Sequence, residues 1–430
     1  MTRVEPAAAL VGDVAVPGTK SISHRALLFG AIADGTSEIR SFGWAGDTES
    51  TVNALRALGV VVDDANRDVV RVEGVGLRGL REPDGPIDCG NAGTLMRLIV
   101  GLLAGQDGTF TLAGDDSLSS RPMERIAEPL RQMGAEVETV DGHAPITVRG
   151  GGALRPISYE LPVASAQVKS CVLLAGLYAN DGPTVVVERG AQTRDHTERL
   201  LRTMGARVQS SPRQASVWPV ERLAPFSLEV PGDFSSAAPL VVAATLLAGS
   251  ALRIHGVNLN PTRTGLLDVL ERMGARIAVF NRRHLAGEPA GDLEVRAAEL
   301  TATSVEPDEV PALIDELPLF ALAAGMARGE SVVKGAQELR AKESNRIETV
   351  TTSLKGLGIR ISERDDGFGV RGIPTRPKGG GMDSAGDHRL AMLGAVAGLV
   401  SREGVEIGDA EAVAISFPGF FDLVESVTKR

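Results

Sequence analysis

Basic side chains stand in the first turns of apolar helices, where acids ordinarily gather. Lys20 and Arg25 lie in KSISHRALLFG, Arg97 in NAGTLMRLIVGLLAG, Lys169 in SAQVKSCVLLAGL and Arg389 in DHRLAMLGAVAGLV. A helix N-terminus carries about half a positive charge, so each such cation forfeits on the order of 0.3–1 kcal/mol unless an anion lies beside it. Phosphate and carboxylate groups are the anions that N-terminal amides, Lys and Arg bind together. For Leu27 or Leu173 a place in the core is explanation enough. A local rule broken at equivalent positions of several segments points instead to a site.

Acids enter at Asp315-Glu316, at the start of DELPLFALAAGMARG, and at Asp387-His388-Arg389. A carboxylate facing cations is favourably paired and can accept a proton from a hydroxyl held nearby. Between them runs RAKESNR, in which the spacing of Lys342 and Arg346 predicts a shared helical face. A solvated, salt-bridged surface would account for that stretch taken alone. Asn91-Ala92-Gly93-Thr94 is a small-residue turn whose bare Gly93 would let backbone N–H groups approach an anion, although an ordinary helix cap also explains it. Ser120-Arg121-Pro122 places an arginine beside a proline expected in the first turn of the next helix.

The elements that carry these residues repeat. Helix starts at 21, 91, 165, 235, 315 and 387 are spaced by roughly 70 to 80 residues. A second, amphipathic helix also recurs, with tails LRALG at Leu55, LRQMG at Leu130, LRTMG at Leu201, LERMG at Leu270 and LKGLG at Leu354, each followed by a strand-like run. In the first copy a strand ending at Pro17-Gly18 leads to Ser21 as the expected N-cap, Thr36–Phe42 alternates as a strand, and the second helix is expected over Asp47–Leu58. The fold class is therefore α/β in an α+β arrangement, six repeats divided three and three. A turn at Val230-Pro231-Gly232-Asp233 marks the boundary, giving one domain over 18–230 and a second from 1–17 plus 231–430. A chain of 430 residues exceeds what one core usually supports.

Composition narrows the partners. A formal charge of −10 and only 3% aromatic residues argue against a nucleic-acid partner. No apolar run approaches the ~20 residues of a membrane span, and no basic leader precedes an apolar stretch, so a cytoplasmic protein without membrane attachment is expected. Cys89 and Cys171 are too few for a disulfide framework or a structural zinc site, and the His spacing indicates no metal.

Together PGTKSISHRALL, DCGNAGTLMR, SSRPM, ASAQVKS, DELP, RAKESNR, DHRLAM and SFPGFF, in this order over nearly the whole chain, resemble the enolpyruvyl transferases, and within them the branch that acts on shikimate 3-phosphate. The resemblance implies a two-domain enolpyruvyl transferase fold of six βαβαββ repeats, three per domain, with helix N-termini facing an interdomain cleft. It implies transfer of the enolpyruvyl group of phosphoenolpyruvate to the 5-hydroxyl of shikimate 3-phosphate, through a tetrahedral intermediate that expels phosphate. No cofactor is implied, and a monomer is expected. Shikimate 3-phosphate is assigned Lys20, Ser21, Arg25, Ser165, Ala166, Gln167, Arg194, Asp315 and Lys342. Phosphoenolpyruvate is assigned Lys20, Gly93, Arg121, Gln167, Arg346 and Arg389, with glyphosate competing for its place. Asp315 is the implied base, Lys20 and Glu343 the two candidates for protonating the methylene carbon, and His388 an auxiliary or a structural hydrogen-bonding group.

Departures from the family pattern are specific. One branch has a second Ser where Ala166 stands and a Lys where Ile415 stands; this chain resembles the other. Asn345 replaces a commoner Asp, which is expected to remove a local salt bridge. A UDP-N-acetylglucosamine enolpyruvyl transferase is the rival enzyme, but that group opens its first helix with Lys-Asn and carries a reactive loop cysteine where this chain has Arg121. A non-catalytic phospholigand-binding repeat protein is the rival of another class, and retention of Asp315 and Glu343 among the cations argues against it.

Overall fold

The computed structural model describes residues 1–430. Contacts divide the chain into two compact units, each enclosing its own apolar core. The N-terminal unit comprises residues 18–230 together with 284–288, and the C-terminal unit comprises 1–17, 231–283 and 289–430. Nothing in the sequence pattern singles out 284–288. Their place follows from contacts made there, including Arg199 donating to the Gly287 carbonyl at 2.9 Å and His196 meeting Glu288 at 2.7 Å.

Within a unit each repeat builds one small sheet. In the second repeat the strand order is Ile87–Asp88, Thr109–Ala113, His143–Arg149, Glu136–Val140, the first pair parallel and the others antiparallel. The same order recurs in Ser158–Glu160, Thr184–Val187, Gln214–Val217, Val208–Ser211 and in Ser304–Val305, Gly329–Val333, Gly367–Gly372, Arg360–Arg364. Three sheets are completed by distant segments: Ser227–Glu229 supplies the parallel edge beside Thr36–Arg40, Thr2–Val4 pairs antiparallel with Val405–Gly408, and Ala9–Ala15 lies parallel beside Ala251–Asn258.

The first helix of each repeat is apolar nearly all round and is accordingly buried, as Gly93–Leu103, Phe234–Leu246 and His388–Val400 show. The second helices are amphipathic and end alike. Gly59, Gly134, Gly205, Gly274 and Gly358 all adopt φ between 85° and 99°, a left-handed conformation that a side chain would strain. In every case the next residue's N–H returns to the Leu that opens the tail, as Val60 to Leu55 at 3.0 Å and Ala275 to Leu270 at 2.9 Å. The recurring L-x-x-x-G tail is thus a helix stop that turns the chain back into its sheet.

Three local expectations are corrected. The first helix runs Lys20–Ala31 with Thr19, not Ser21, at the N-cap, because the Thr19 carbonyl accepts from Ile22 and Ser23. Pro122 precedes the helix Glu124–Gln132 by two positions instead of lying in its first turn. Lys342 and Arg346 do not share a helix. A 3-10 turn, Gln337–Ala341, ends in extended backbone at Lys342, and Asn345 caps a new helix, Arg346–Gly356. The Asn345 amide also does what a carboxylate could not, donating to Glu348 Oε2 at 3.0 Å while its oxygen lies near the Glu348 N–H. Arg340 NH1 reaches the same Asn345 oxygen at 3.4 Å, so an Asp here would gain an ion pair with Arg340 and lose the donation to Glu348.

Close backbone approach sets two site-bearing helices against each other. A Cβ on Gly101, in Gly93–Leu103, would lie 2.3 Å from the carbonyl oxygen of Cys171 in the helix Ala166–Gly176. Gly101→Ala is therefore expected to push these helices apart and lower stability by about 1–3 kcal/mol or more. A drop in the urea midpoint with an unchanged slope would show this, and an unchanged midpoint would mean that the contact is not tight.

Candidate functional site

The N-terminal unit gathers cations around the first turns of Lys20–Ala31, Gly93–Leu103 and Ala166–Gly176. Lys20 Nζ lies 2.7 Å from Asp47 Oδ2, in the first turn of the helix Gly46–Ala57. Arg25 is only 3% exposed, yet its hydrogen-bond partners are neutral: the Ser21 carbonyl at 2.8 Å, Thr197 Oγ1 at 2.8 Å and Ser170 Oγ at 2.9 Å. Burial pulls its pKa down to about 10, and the charge of Arg194 pulls the same way while Glu198 opposes both. His24, buried beside Lys20 and Arg25, is held well below its usual range by desolvation and by those two cations, and it meets Thr51 Oγ1 at 2.7 Å. A neutral imidazole and a buried cation held by oxygens of no net charge make a pocket that favours an anion.

At the next helix start Arg97 NH1 donates to Gln167 Oε1 at 3.0 Å, and Gln167 Nε2 donates to Thr94 Oγ1 at 3.1 Å. Arg121 NH2 reaches Asn91 Oδ1 at 2.6 Å and Ser117 Oγ at 3.2 Å. Both guanidinium ends converge over Gly93, where a Cβ would lie 2.8 Å from Arg97 NH1 and 3.2 Å from Arg121 NH1. Ser165 caps the third helix by accepting from the Val168 N–H at 3.4 Å, so Ala166 and Gln167 fall in its first turn. Lys169 has a different fate from the other first-turn cations. It is fully buried with Glu188 at 2.9 Å, Glu198 at 3.0 Å and the Thr193 carbonyl at 3.0 Å, so its charge holds protein together and faces no ligand. Because Glu188 also accepts from the Thr193 N–H at 2.8 Å, this cluster fixes the turn that carries Arg194.

In the C-terminal unit the predicted acids and cations do meet. Asp315 and Glu316 lie in a 3-10 turn, Ile314–Glu316, that leads into the helix Leu317–Gly325. Asp315, 8% exposed, has Arg346 NH1 at 3.2 Å, Lys342 Nζ at 3.6 Å and Arg389 NH2 at 3.6 Å. Arg346, 1% exposed, also donates to Glu343 Oε2 at 2.7 Å and forks onto Asp387 at 2.7 and 3.1 Å. Burial opposes the Arg346 charge, but Asp387, Glu343 and Asp315 outweigh it and raise its pKa. Asp387 caps the helix His388–Val400 through the Arg389 N–H at 2.9 Å, which leaves His388 buried in the first turn.

Sequence reasoning missed Asp47, Glu188, Glu198 and Arg263, the counter-ions and anchors of the site. Asp47 looks like any acid in a first turn, and Arg263 lies in a stretch, NPTRTG, with no periodic signal. The cysteines are structural in the sense expected: burial pushes both thiols up to about 12, far from a nucleophilic thiolate. Ile415 is half-buried in the 3-10 turn Ala410–Ile415. No helix of the protein is long and apolar enough to cross a membrane.

The chain matches the family described as EPSP synthase (3-phosphoshikimate 1-carboxyvinyltransferase) over residues 4–424. It is 48% identical over 426 residues to a 3-phosphoshikimate 1-carboxyvinyltransferase of Lactiplantibacillus plantarum, covering 97% of this chain and 96% of that one. A second such enzyme, of Alkalilimnicola ehrlichii, is 49% identical over 421 residues, covering 98% and 94%. The solved structure of EPSP synthase from Acinetobacter baumannii is similar with a TM-score of 0.87 at 41% identity, covering 99% of this chain and 97% of that one.

The Arg346 network predicts a pH dependence. Burial would raise Asp387, but the adjacent Arg346 more than offsets it and its folded pKa lies below the ordinary value, about 3.9 in an unfolded chain. Its contribution to stability is therefore complete above about pH 4 and is lost as pH falls through the folded value. Asp387→Asn should lower stability near neutrality by roughly 3–5 kcal/mol and flatten the acid limb below about pH 4. Urea midpoints measured across the acid range check both, and parallel acid limbs would remove Asp387 as a source of the dependence.

Proposed function

The chain belongs to the EPSP synthase family, and from that premise we propose how its residues divide the family's reaction. The protein transfers the enolpyruvyl group of phosphoenolpyruvate to the 5-hydroxyl of shikimate 3-phosphate, with release of phosphate. Neither a UDP-N-acetylglucosamine enolpyruvyl transferase nor a non-catalytic binding protein is favoured by these relatives. In our reading shikimate 3-phosphate is held by Lys20, Ser21, Arg25, Ser165, Ala166, Gln167, Arg194 and Lys342. The uncharged hydrogen-bond partners of buried Arg25 support this part most directly, because a cation there gains more from an arriving anion than one held by a carboxylate. Phosphoenolpyruvate is assigned Lys20, Gly93, Arg121 and Gln167 in the N-terminal unit, to which the convergence over Gly93 adds Arg97, and Arg346 and Arg389 in the C-terminal unit.

The chemistry needs a base for the attacking hydroxyl and an acid for the methylene carbon. Asp315 is the base, and the observation that carries this is its carboxylate set among Lys342, Arg346 and Arg389. Proton transfer to Asp315 lets the 5-oxygen attack while the methylene is protonated by Lys20 or Glu343, giving a tetrahedral adduct. Loss of a proton from the new methyl group to the residue that supplied it, with cleavage of the C–O bond to phosphate, re-forms the carbon–carbon double bond and completes the transfer. The reading extends to a cytoplasmic monomer acting on two small molecules.

Three outcomes test it. Phosphate should be released only when both substrates are present, and Asp315→Asn, which keeps the shape and removes the base, should lower kcat by about 10²–10⁴-fold. A variant retaining most of its kcat would remove Asp315 as base. Gly93→Ala should lower stability only modestly, since the methyl meets the far ends of two arginine side chains and, at 3.4 Å, Leu118 Cδ1. It should nevertheless raise the phosphoenolpyruvate KM about tenfold, a loss of about 1.4 kcal/mol, with glyphosate inhibition weakened at least as much. An unchanged KM would place the substrate away from this turn.

A further inference from the structure

Glu316 is fully buried beside Asp315, and the reaction as described makes no use of it. Its carboxylate is gripped by Arg263, itself 3% exposed, through NH1 to Oε2 at 2.9 Å and NH2 to Oε1 at 3.2 Å. Ser235 donates to the same Oε1 at 2.5 Å, and Arg263 also reaches the Ser235 hydroxyl. Arg263 is placed by a buried turn in which its own N–H donates to the Asn260 carbonyl at 2.8 Å. Burial alone would depress the Arg263 pKa, but Glu316, with Asp315 and Asp233 behind it, raises it. A buried ion pair of this kind gains little over apolar side chains of the same size, so stability does not account for it.

Its outward contact does. Oε1 of Glu316 lies 3.5 Å from Arg389 NH1, while Oδ2 of Asp315 lies 3.6 Å from Arg389 NH2. Two adjacent acids of one 3-10 turn thus straddle a single guanidinium, one at each terminal nitrogen. Both distances exceed that of a close charge-assisted hydrogen bond, so the group is aimed without being saturated. Arg263 sets this balance, because a Glu316 carboxylate relieved of Arg263 would draw Arg389 fully onto itself. We propose that Arg263 and Glu316 are a positioning pair that orients Arg389 toward an anionic substrate while leaving its N–H groups available.

The inference rests on the reading of Arg389 as a phosphoenolpyruvate ligand, and three variants separate the two. Arg389→Met, the pair Arg263→Met with Glu316→Leu, and the triple combination are each compared with the wild type by steady-state kinetics in both substrates. Arg389→Met should raise the phosphoenolpyruvate KM. The pair variant should raise it about tenfold while the shikimate 3-phosphate KM stays within about twofold, and the triple variant should be no worse than Arg389→Met, because residues acting through one another are not additive. No effect of Arg389→Met would overturn the ligand reading and with it the positioning role. A clear effect of Arg389→Met beside a silent pair variant would overturn the positioning role alone, as would equal rises in both KM values or additive losses in the triple variant. If the pair variant does not fold, Arg263→Lys keeps the charge and loses the fork. It should then raise the phosphoenolpyruvate KM selectively by about threefold, and an unchanged value would sink the proposal.

Discussion

A guanidinium taken out of water must be answered by charge or by several well-placed oxygens, and the two units answer it differently. In the C-terminal unit Arg346 is met by Asp387, Glu343 and Asp315, and Arg263 by Glu316, so these cations are paired by protein carboxylates. In the N-terminal unit Arg25 is met by a carbonyl and two hydroxyls, which satisfy its hydrogens without cancelling its charge. Desolvation then leaves an unspent preference for an anion at Arg25. It leaves at Asp315 a carboxylate whose environment is already built before any substrate arrives.

The same constraint separates first-turn cations that look alike in sequence. Lys169 and Arg25 both lie in buried helices near a first turn. Lys169 faces Glu188 and Glu198 across its own unit and becomes a brace under the Arg194 turn, while Arg25 faces Ser170 and Thr197. What decides between ligand and brace is the partner brought by another strand or helix, and that partner is distant in sequence.

Legibility follows from this. The L-x-x-x-G tails were readable because a helix stop needs a left-handed residue and a returning hydrogen bond, both local. The motifs around Gly93, Asp315 and Asp387 were readable as helix starts, because a small-residue turn and acids at a first turn are local signals. Thr19 in place of Ser21 as cap, and the break between Lys342 and Arg346, were not readable. Either residue of Thr19-Lys20-Ser21 could begin the helix, and the cap at Asn345 overrode a four-residue spacing that fits one helical face. Arg263 was invisible because its role depends on Glu316, some fifty positions away.

The strand pairings also impose an order on synthesis. Thr2–Val4 has its antiparallel partner at Val405–Gly408, and Ala9–Ala15 lies beside Ala251–Asn258, whereas Ser227–Glu229 returns to Thr36–Arg40 within the N-terminal unit. At about 5–20 residues per second, a strand at the beginning of the chain waits roughly 20–80 s for a partner made some four hundred residues later. The N-terminal unit acquires nearly all of its own strands before that time and can close while the opening seventeen residues are still extended. Those residues keep their backbone edges unpaired through the interval, and Val11 stays partly exposed even in the folded protein.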